Sequence, residues 1–183
     1  MNYLNPISFQ PILKQVCLSA ILLLPYCQLH AQQNTNYSLH ANIIYRVIKY
    51  INWPNTNSGS GDFVIGIVGD TPLFDDLTSV VAGKKAGKQK IVVTRFPASA
   101  AAFNCHILFV PDDESNRFKK ILAKTVNTPT LIISESEGFA SEGSCINFVI
   151  AEDHLKLEIN KRNIENRHLK IASELLQLGI PVK

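Results

Sequence analysis

The segment LKLEIN, residues 155–160, has a suggestive spacing of polar side chains. Its apolar residues alternate with polar ones, so a strand here would place the polar side chains on one face. His154 and Glu158 would then lie on the same face, and they are the two side chains that a metal ion would recruit. No third ligand accompanies them, and antiparallel strands often keep one face in solvent. We therefore interpret this face as solvated and predict no metal site.

A glycine-containing turn, Gly66 to Asp70 (GIVGD), follows an apolar run and precedes a predicted helix. The same order occurs in nucleotide-binding loops. The segment lacks the third glycine of the dinucleotide fingerprint and the GK[ST] ending of a P-loop. A tight turn with close packing explains both glycines. We predict no nucleotide cofactor, and no acidic pair precedes Asp70 to make it a phosphoacceptor.

No nucleophile in the sequence stands in a recognisable catalytic arrangement. There is no GxSxG elbow, and Ser134 has no histidine at a suggestive spacing. Cys105 adjoins His106, but adjacent residues on a strand point to opposite faces. A structural role for this pair is favoured, since a reactive cysteine needs an activating environment. We therefore predict that the chain is not an enzyme.

The first 31 residues have the layout of a cleavable secretory signal peptide. Val16 to Tyr26 is a continuous apolar run, shorter than the roughly 18 residues that a membrane-spanning helix needs. Ala31 is a small residue before a cut ahead of Gln32. We predict export, cleavage near Ala31, and a single domain over residues 32–183 that is not embedded in a membrane.

The predicted cleavage site determines which cysteines remain in the exported protein. Cys17 and Cys27 leave with the signal peptide, and bulky Tyr26 disfavours lipidation of Cys27. Cys105 and Cys145 remain. In an exported protein they form either one disulfide or two buried thiols, and the residues alone leave both alternatives open.

The charge of the chain excludes one class of partner. The formal net charge is +3 over 183 residues, with acidic and basic residues interspersed. Such a balance provides no electrostatic footprint for nucleic acid. We therefore predict no nucleic-acid partner.

The elements that position these residues begin with a helix. Apolar residues from Leu39 to Ile51 recur on one helical face, and Trp53-Pro54 should end the helix. Trp53 is the only tryptophan. It is either a core anchor or an interface residue, and the core is favoured because the helix must pack somewhere.

Short apolar runs then alternate with amphipathic stretches. The predicted strands are Phe63–Val68, Ile91–Phe96, His106–Val110 and Leu131–Ser134. The predicted crossovers are a helix that begins at Thr71-Pro72 and runs through Val81, a short helix within 97–103, and a helix capped by Ser115 with an apolar face reaching Val126. This order predicts a parallel sheet covered on both faces.

The end of the chain predicts a different connection. Strands at Ile146–Ile150 and Leu155–Asn160 lie too close in sequence for a helical crossover, so they should form an antiparallel hairpin. A short closing helix around residues 175–178 should stop at Gly179. The predicted fold is a single compact three-layer α/β domain, with a mostly parallel sheet, a C-terminal antiparallel hairpin and helices on both faces.

The order of several segments resembles the YfiR family of periplasmic regulators. They are KYINWP, IGIVGD, CHILFVP, LIISESEGFASEGSCINFVI, and LEIN followed by LKIASELLQLG, over about Tyr37 to Ile180. The resemblance implies a compact α/β protein of the periplasm that binds and restrains the sensory region of an inner-membrane diguanylate cyclase or histidine kinase. It also implies an outer-membrane lipoprotein that sequesters the regulator, and a homodimer.

The resemblance can be carried to only a few residues. Cys105 matches a cysteine that in the family's repressor pairs with one on the first strand, where this chain has Gly66. Cys145 stands about two positions ahead of the repressor's other bridge cysteine, so neither family disulfide is reproduced. Among residues that match the family's pattern, Glu158 and Asn160 are the candidates for partner contact, together with Trp53.

A second function class stays open from the residues. A periplasmic module that binds a small ligand for transport or sensing would use a crevice at the carboxyl ends of the parallel strands, where open α/β sheets bind ligands. Its candidate residues are Asp70, Pro111 and Ser134.

Overall fold

A computed structural model of the chain describes residues 36–54 and 61–183. The proposed signal peptide and its cleavage site lie outside the described residues, so both stay predictions. Most of the Gly/Ser-rich loop that follows Pro54 also lies outside them.

The described residues form helices, strands and two short 3₁₀ segments. The helices are α1 Tyr37–Val47, α2 Leu73–Val81, α3 Phe118–Thr125, α4 Phe139–Glu142, α5 Lys161–Glu165 and α6 Ser173–Leu178. The strands are β1 Ile51–Asn52, β2 Phe63–Val68, β3 Lys85–Ala86, β4 Gln89–Phe96, β5 Ile107–Val110, β6 Leu131–Ser134, β7 Ile146–Ala151, β8 His154–Ile159, β9 Lys170–Ile171 and β10 Ile180–Pro181. Two 3₁₀ segments, Ile48–Tyr50 and Asp112–Arg117, follow α1 and precede α3.

Eight strands form one sheet in the order β10-β8-β7-β6-β5-β2-β4-β3. The pairs from β4 through β2, β5 and β6 to β7 are parallel, whereas β7 and β8 pair antiparallel. The short strand β10 pairs parallel with β8, β3 pairs antiparallel with β4, and β1 pairs with β9 outside this sheet. The predicted fold class is confirmed, including the C-terminal hairpin.

Helices cover both faces of the sheet. On one face, which we call the α1 face, the ring of His40 packs against Phe148 and the guanidinium of Arg95 lies over Phe74 of α2. On the other, the α3 face, Phe96 meets Phe103 edge to face, and Phe118 of α3 stacks on Phe139 of α4. The central strands β5 and β6 are buried along their whole length, as a strand covered on both faces requires.

The first helix is shorter than its apolar spacing predicts. Regular α-helix ends at Val47, and a 3₁₀ turn leads into β1. Ile51 and Asn52 instead pair with Ile171 and Lys170 of β9. The pairing takes over the backbone groups that would have continued the helix, so the sequence interpretation was wrong at this end.

Two crossover predictions were also wrong. No helix forms within residues 97–103, where the carbonyl of Ala100 accepts a hydrogen bond from Lys124 Nζ at 2.6 Å. Ser115 does not cap α3, because the six residues before Phe118 form a 3₁₀ segment that itself begins after Pro111. Val126, placed on the apolar face by its spacing, is 61% exposed.

Candidate functional site at the carboxyl edge of the sheet

A group of polar side chains gathers at the carboxyl ends of β5 and β6, beside the first residues of β7. We call it the carboxyl-edge cluster. Its members are Tyr37, His40, Asp112, Ser134, Glu135, Ser136, Asn147 and Glu158. Open α/β sheets bind their ligands at this edge, so the cluster is a candidate for a ligand-binding site.

Asn147 is the centre of the cluster on the α3 face. The strand register aligns it with Ser134 of β6 on one side and Glu158 of β8 on the other. Its Oδ1 accepts a hydrogen bond from the Ser134 hydroxyl at 2.6 Å, and its Nδ2 donates to Glu158 Oε2 and to the Ser136 carbonyl, both at 2.9 Å. Asn147 is completely buried, so this network satisfies an amide that would otherwise be costly to bury.

Glu135 occupies the α1 face of the same edge, because it is one residue beyond Ser134. Its Oε1 accepts hydrogen bonds from the Tyr37 hydroxyl at 3.0 Å and from the Asp112 backbone N–H at 3.2 Å. Its Oε2 lies 3.7 Å from His40 Nε2. The Ser136 hydroxyl donates to Asp112 Oδ1 at 2.6 Å and links the two halves of the cluster.

Burial shifts the titration of these groups towards their neutral forms. Desolvation raises the pKa of Glu135, and nearby Asp112 and Asp113 raise it further. Desolvation also lowers the pKa of His40, against the effect of its hydrogen bond to the Asn36 backbone. The pKa of Tyr37 is raised to about 12, mainly by burial. These directions indicate that the cluster stabilises structure by neutral hydrogen bonds.

The part of the edge beside Glu135 and Phe148 is covered by the first helix. Tyr37 and His40, from the first turn of α1, lie over Glu135 and Phe148. Ser134 is completely buried and Pro111 is buried, whereas the Asp70 carboxylate is 88% exposed and pairs with Arg95 at 3.4 Å. The three residues expected to line a crevice therefore do not present polar groups to a common cleft.

The chemistry available at this edge is hydrogen bonding and proton exchange. Within residues 36–54 and 61–183, no group of three or more histidine, cysteine or acidic side chains is arranged to hold a metal ion. In the same part of the chain, no helix is both long and apolar enough to cross a membrane.

Two of the residues expected at a partner interface are buried inside the domain. Asn160 is 3% exposed, because β8 ends at Ile159 and the Asn160 side chain turns inward to cap α5. Its Oδ1 accepts from the Asn163 N–H at 3.0 Å and its Nδ2 donates to the Ala140 carbonyl at 2.9 Å. Asn160 is thus not part of an exposed polar face, which corrects the expectation from alternation.

Trp53 belongs to the core, the role that the sequence interpretation favoured. It is 4% exposed and its ring meets Phe63 edge to face at 5.0 Å. Its Nε1 donates to the His106 carbonyl at 3.1 Å. Glu158 is half-buried and holds the hydrogen bond from Asn147, so its role in partner contact stays a prediction.

Cys105 and Cys145 are free thiols. They precede β5 and β7, which are separated by β6. Adjacent strands lie about 4.8 Å apart, so two steps across the sheet exceed the Cα separation that a disulfide tolerates, about 7 Å at most. Of the two alternatives that the sequence left open, the structure has the pair of thiols.

We expect both thiols to react slowly with alkylating reagents in the native protein. Burial raises the pKa of the Cys105 thiol to about 12 and that of Cys145 to about 11, and Cys145 is completely buried. A rise of two units in pKa lowers the thiolate fraction about 100-fold. Timed labelling of native and denatured protein measures the ratio. Rapid native labelling of both residues would contradict the structure.

Sequence reasoning missed the half of the cluster on the α1 face. His40 stands at an apolar-face position of α1, four residues before buried Ile44, and Glu135 follows an entirely buried strand. A polar residue at a core position and a carboxylate at the end of a buried strand were available signals. The pairing itself requires a contact between residues that are far apart in sequence.

The fold and the site define the class of this protein: an open, mostly parallel α/β sheet with a C-terminal hairpin, whose carboxyl edge is partly covered by its own first helix. Comparison with known families identifies it further. A model of the YfiR/HmsC-like family matches residues 37–180, and the chain belongs to that family. Members of the family are known as periplasmic regulators of diguanylate cyclases.

A solved structure supports the fold. The crystal structure of a conserved domain protein from Vibrio cholerae O1 biovar El Tor strain N16961 superposes with a TM-score of 0.58 at 12% sequence identity. The match covers 81% of this chain and 60% of that chain. At this identity the likeness concerns the fold alone. No curated protein matches the sequence.

Proposed function

We propose that this chain is a non-catalytic periplasmic regulator that binds and restrains the sensory region of an inner-membrane signalling protein, either a diguanylate cyclase or a histidine kinase. The observation that carries the proposal is the family match over residues 37–180, which is nearly the whole described domain. An outer-membrane lipoprotein that removes the regulator from its target is the second partner of this scheme.

The helix-covered part of the carboxyl edge favours a regulator over the ligand-binding alternative. A small ligand there would have to displace Tyr37 and His40, which are held by Glu135 and Phe148. A protein partner needs only the outer surface. The proposal therefore places function on a surface of the domain.

We assign the contact to exposed side chains at the carboxyl edge. Ile150 of β7 is 59% exposed and Leu39 of α1 is 44% exposed. Ile150 lies on the α1 face, because His40 packs on Phe148 and Phe148 is two residues before Ile150 on the same side of the strand. Leu39 is the residue before His40 in α1. We call Leu39 and Ile150, with exposed Asp112 and Asp113, the contact surface.

The chemistry of the contact surface specifies its partner. Two exposed apolar side chains and two exposed carboxylates fit a sensory region that presents apolar residues together with lysine or arginine. Among the described residues, neither Asp112 nor Asp113 forms an ion pair within the domain. Asp113, and the Asp112 oxygen that Ser136 does not use, are therefore available to a basic partner.

Photocrosslinking in intact cells tests the proposal. A photoreactive amino acid at position 150 should trap a membrane protein whose periplasmic region is joined to a cyclase or kinase domain. The same amino acid at Val126, which is 61% exposed near the opposite, amino edge of the sheet, is the matched control and should not trap that protein. Identical adducts from both positions, or a transport protein trapped from position 150, would contradict the proposal.

A further inference from the structure

We infer that His40 and Glu135 share one proton and that this proton holds the first turn of α1 against the sheet. The inference concerns regulation of the contact surface, because Leu39 lies in the same helical turn, and in that respect it rests on the proposed function. Partner binding would then respond to pH through a local change in α1.

The hydrogen bonds of His40 determine which ring nitrogen carries hydrogen. His40 Nδ1 lies 3.0 Å from the backbone carbonyl oxygen of Asn36. A carbonyl oxygen can only accept, so Nδ1 must be the donor. In a neutral imidazole the other nitrogen, Nε2, then has a lone pair and no hydrogen. That lone pair faces the Glu135 carboxyl group at 3.7 Å.

The Glu135 carboxyl group faces His40 with its one unsatisfied oxygen. Oε1 accepts hydrogen bonds from Tyr37 and from the Asp112 backbone. Oε2 is buried and has no hydrogen-bond partner. The side chains of His40 and Glu135 are only 5% and 8% exposed. Two buried acceptors thus face each other, and a single proton between them converts a repulsive contact into a hydrogen bond after a shift of under about 1 Å.

Burial and the charges around the pair favour retention of the proton, against the hydrogen bonds from the Asp112 N–H and Tyr37, which lower the pKa of Glu135. Asp112 and Asp113, from the 3₁₀ segment, and Tyr37, from α1, are the titratable groups that act on Glu135. The remaining ring contact of His40, besides Tyr37, is with Phe148 of β7, which is uncharged. Among the described residues no lysine or arginine pairs with Glu135, so its charge is offset by two hydrogen bonds at Oε1 and by no cationic side chain other than a protonated His40.

Loss of the proton leaves α1 with two unfavourable arrangements. If His40 keeps its bond to Asn36, its Nε2 lone pair faces a carboxylate. If the ring places its hydrogen on Nε2 to serve Glu135, Nδ1 becomes an acceptor and the bond to the Asn36 carbonyl is lost. Asn36 is the N-cap of α1, with Oδ1 accepting from the Leu39 N–H at 3.2 Å. Either arrangement loosens the first turn.

The first turn of α1 has a docked state, in which it lies against the sheet, and an opened state, in which it has moved away. The direction of the pH effect follows from the number of protons that His40 and Glu135 bind together in each state. Between about pH 4.3 and 6.5 the opened turn also holds one proton, on His40, so docking changes little with pH. Above about pH 6.5 the opened pair holds none, whereas the docked pair retains one under this inference, because His40 Nε2 and Glu135 Oε2 face each other without another donor. Docking therefore weakens as pH rises above about 6.5, until the docked pair also loses its proton. Below about pH 4.3 the opened turn takes up a second proton that buried His40, with its lowered pKa, resists, so docking weakens there as well.

Amide hydrogen exchange on the mature protein tests the inference. After correction for intrinsic exchange, protection of the Leu39 amide should fall between pH 6.5 and 8.5, by up to about tenfold per pH unit while the docked pair keeps the proton that the opened pair has lost. The amides of Ile121 and Leu122, inside α3, should not follow this decline. Constant protection of Leu39, or an equal decline in α3, would overturn the inference.

A matched pair of variants isolates the proton. Glu135→Gln provides an N–H towards His40 Nε2 at all pH values and keeps an acceptor for Tyr37, so the Leu39 amide should stay protected up to pH 8.5. Glu137→Gln changes an exposed carboxylate two residues away and should retain the wild-type pH dependence. The inference fails if Glu135→Gln has the same pH dependence as the wild type.

These measurements separate the inference from the proposed function. Exchange is measured on the isolated protein, so a pH-dependent turn without any crosslinked sensor would uphold the shared proton and reject the proposed partner. A crosslinked sensor combined with pH-independent exchange would do the opposite.

Discussion

Replacing Asn147 by alanine should lower the free energy of unfolding by roughly 3 to 5 kcal/mol. The change removes three hydrogen bonds, to Ser134, Glu158 and the Ser136 carbonyl, from a site with no access to solvent. The partners are left unsatisfied, and each buried group without a partner costs about 1 to 3 kcal/mol. Denaturant unfolding of both proteins gives the difference.

Glu158→Ala is the natural comparison for that variant. Glu158 is half-buried and loses only its bond from Asn147, so we expect a cost of about 1 kcal/mol. If Glu158→Ala is as destabilising as Asn147→Ala, Glu158 is the structural centre of the network and is removed as a candidate for partner contact. A cost below about 1 kcal/mol for Asn147→Ala would contradict the description of the cluster.

Replacing Phe148 by alanine should cost about 3 to 5 kcal/mol. Phe148 is 2% exposed and contacts the rings of His40 and Phe109, with centroids 4.2 and 6.4 Å away. The truncation leaves a cavity under the first turn of α1, so that turn should also lose protection from exchange. Thermal or denaturant unfolding measures the global effect.

The chain offers a matched control two residues further along the same strand face. Ile150 is 59% exposed, and Ile150→Ala should change stability by no more than about 0.5 kcal/mol. Similar losses for the two variants would mean that Ile150 is packed in the core, and the contact surface would then have to be abandoned.

The parts of the fold that local sequence determines were predictable. β2 and β6 have the bounds that their apolar runs predict, since strands buried on both faces are apolar throughout. The hairpin followed from a connection too short for a helix. Segments whose conformation depends on distant partners were not predictable. Ala100 is held by a lysine of α3, and Ile51 pairs with β9 near the end of the chain.

In the candidate site, too, local sequence predicts some features, whereas others depend on contacts between distant residues. Ser134 was placed correctly at the carboxyl end of its strand, because the strand itself could be identified. Its burial beside Asn147 could not be inferred, since it depends on the register of β6 with β7. The contact of His40 with Glu135 joins the first helix to the fourth parallel strand that the sequence indicates. No local pattern specifies which turn of α1 meets that edge.

The affinity of the mature protein for the purified periplasmic region of the sensor trapped from position 150 tests the central claim most directly. Wild-type protein should bind, and Ile150→Asp should weaken binding by about tenfold or more, because it places a charge in an apolar contact. Val126→Asp, at the opposite edge, should leave affinity within about twofold of wild type. Equal affinity of all three proteins for the sensory region, or no binding by the wild type, would contradict a regulator that acts through the carboxyl edge of its sheet.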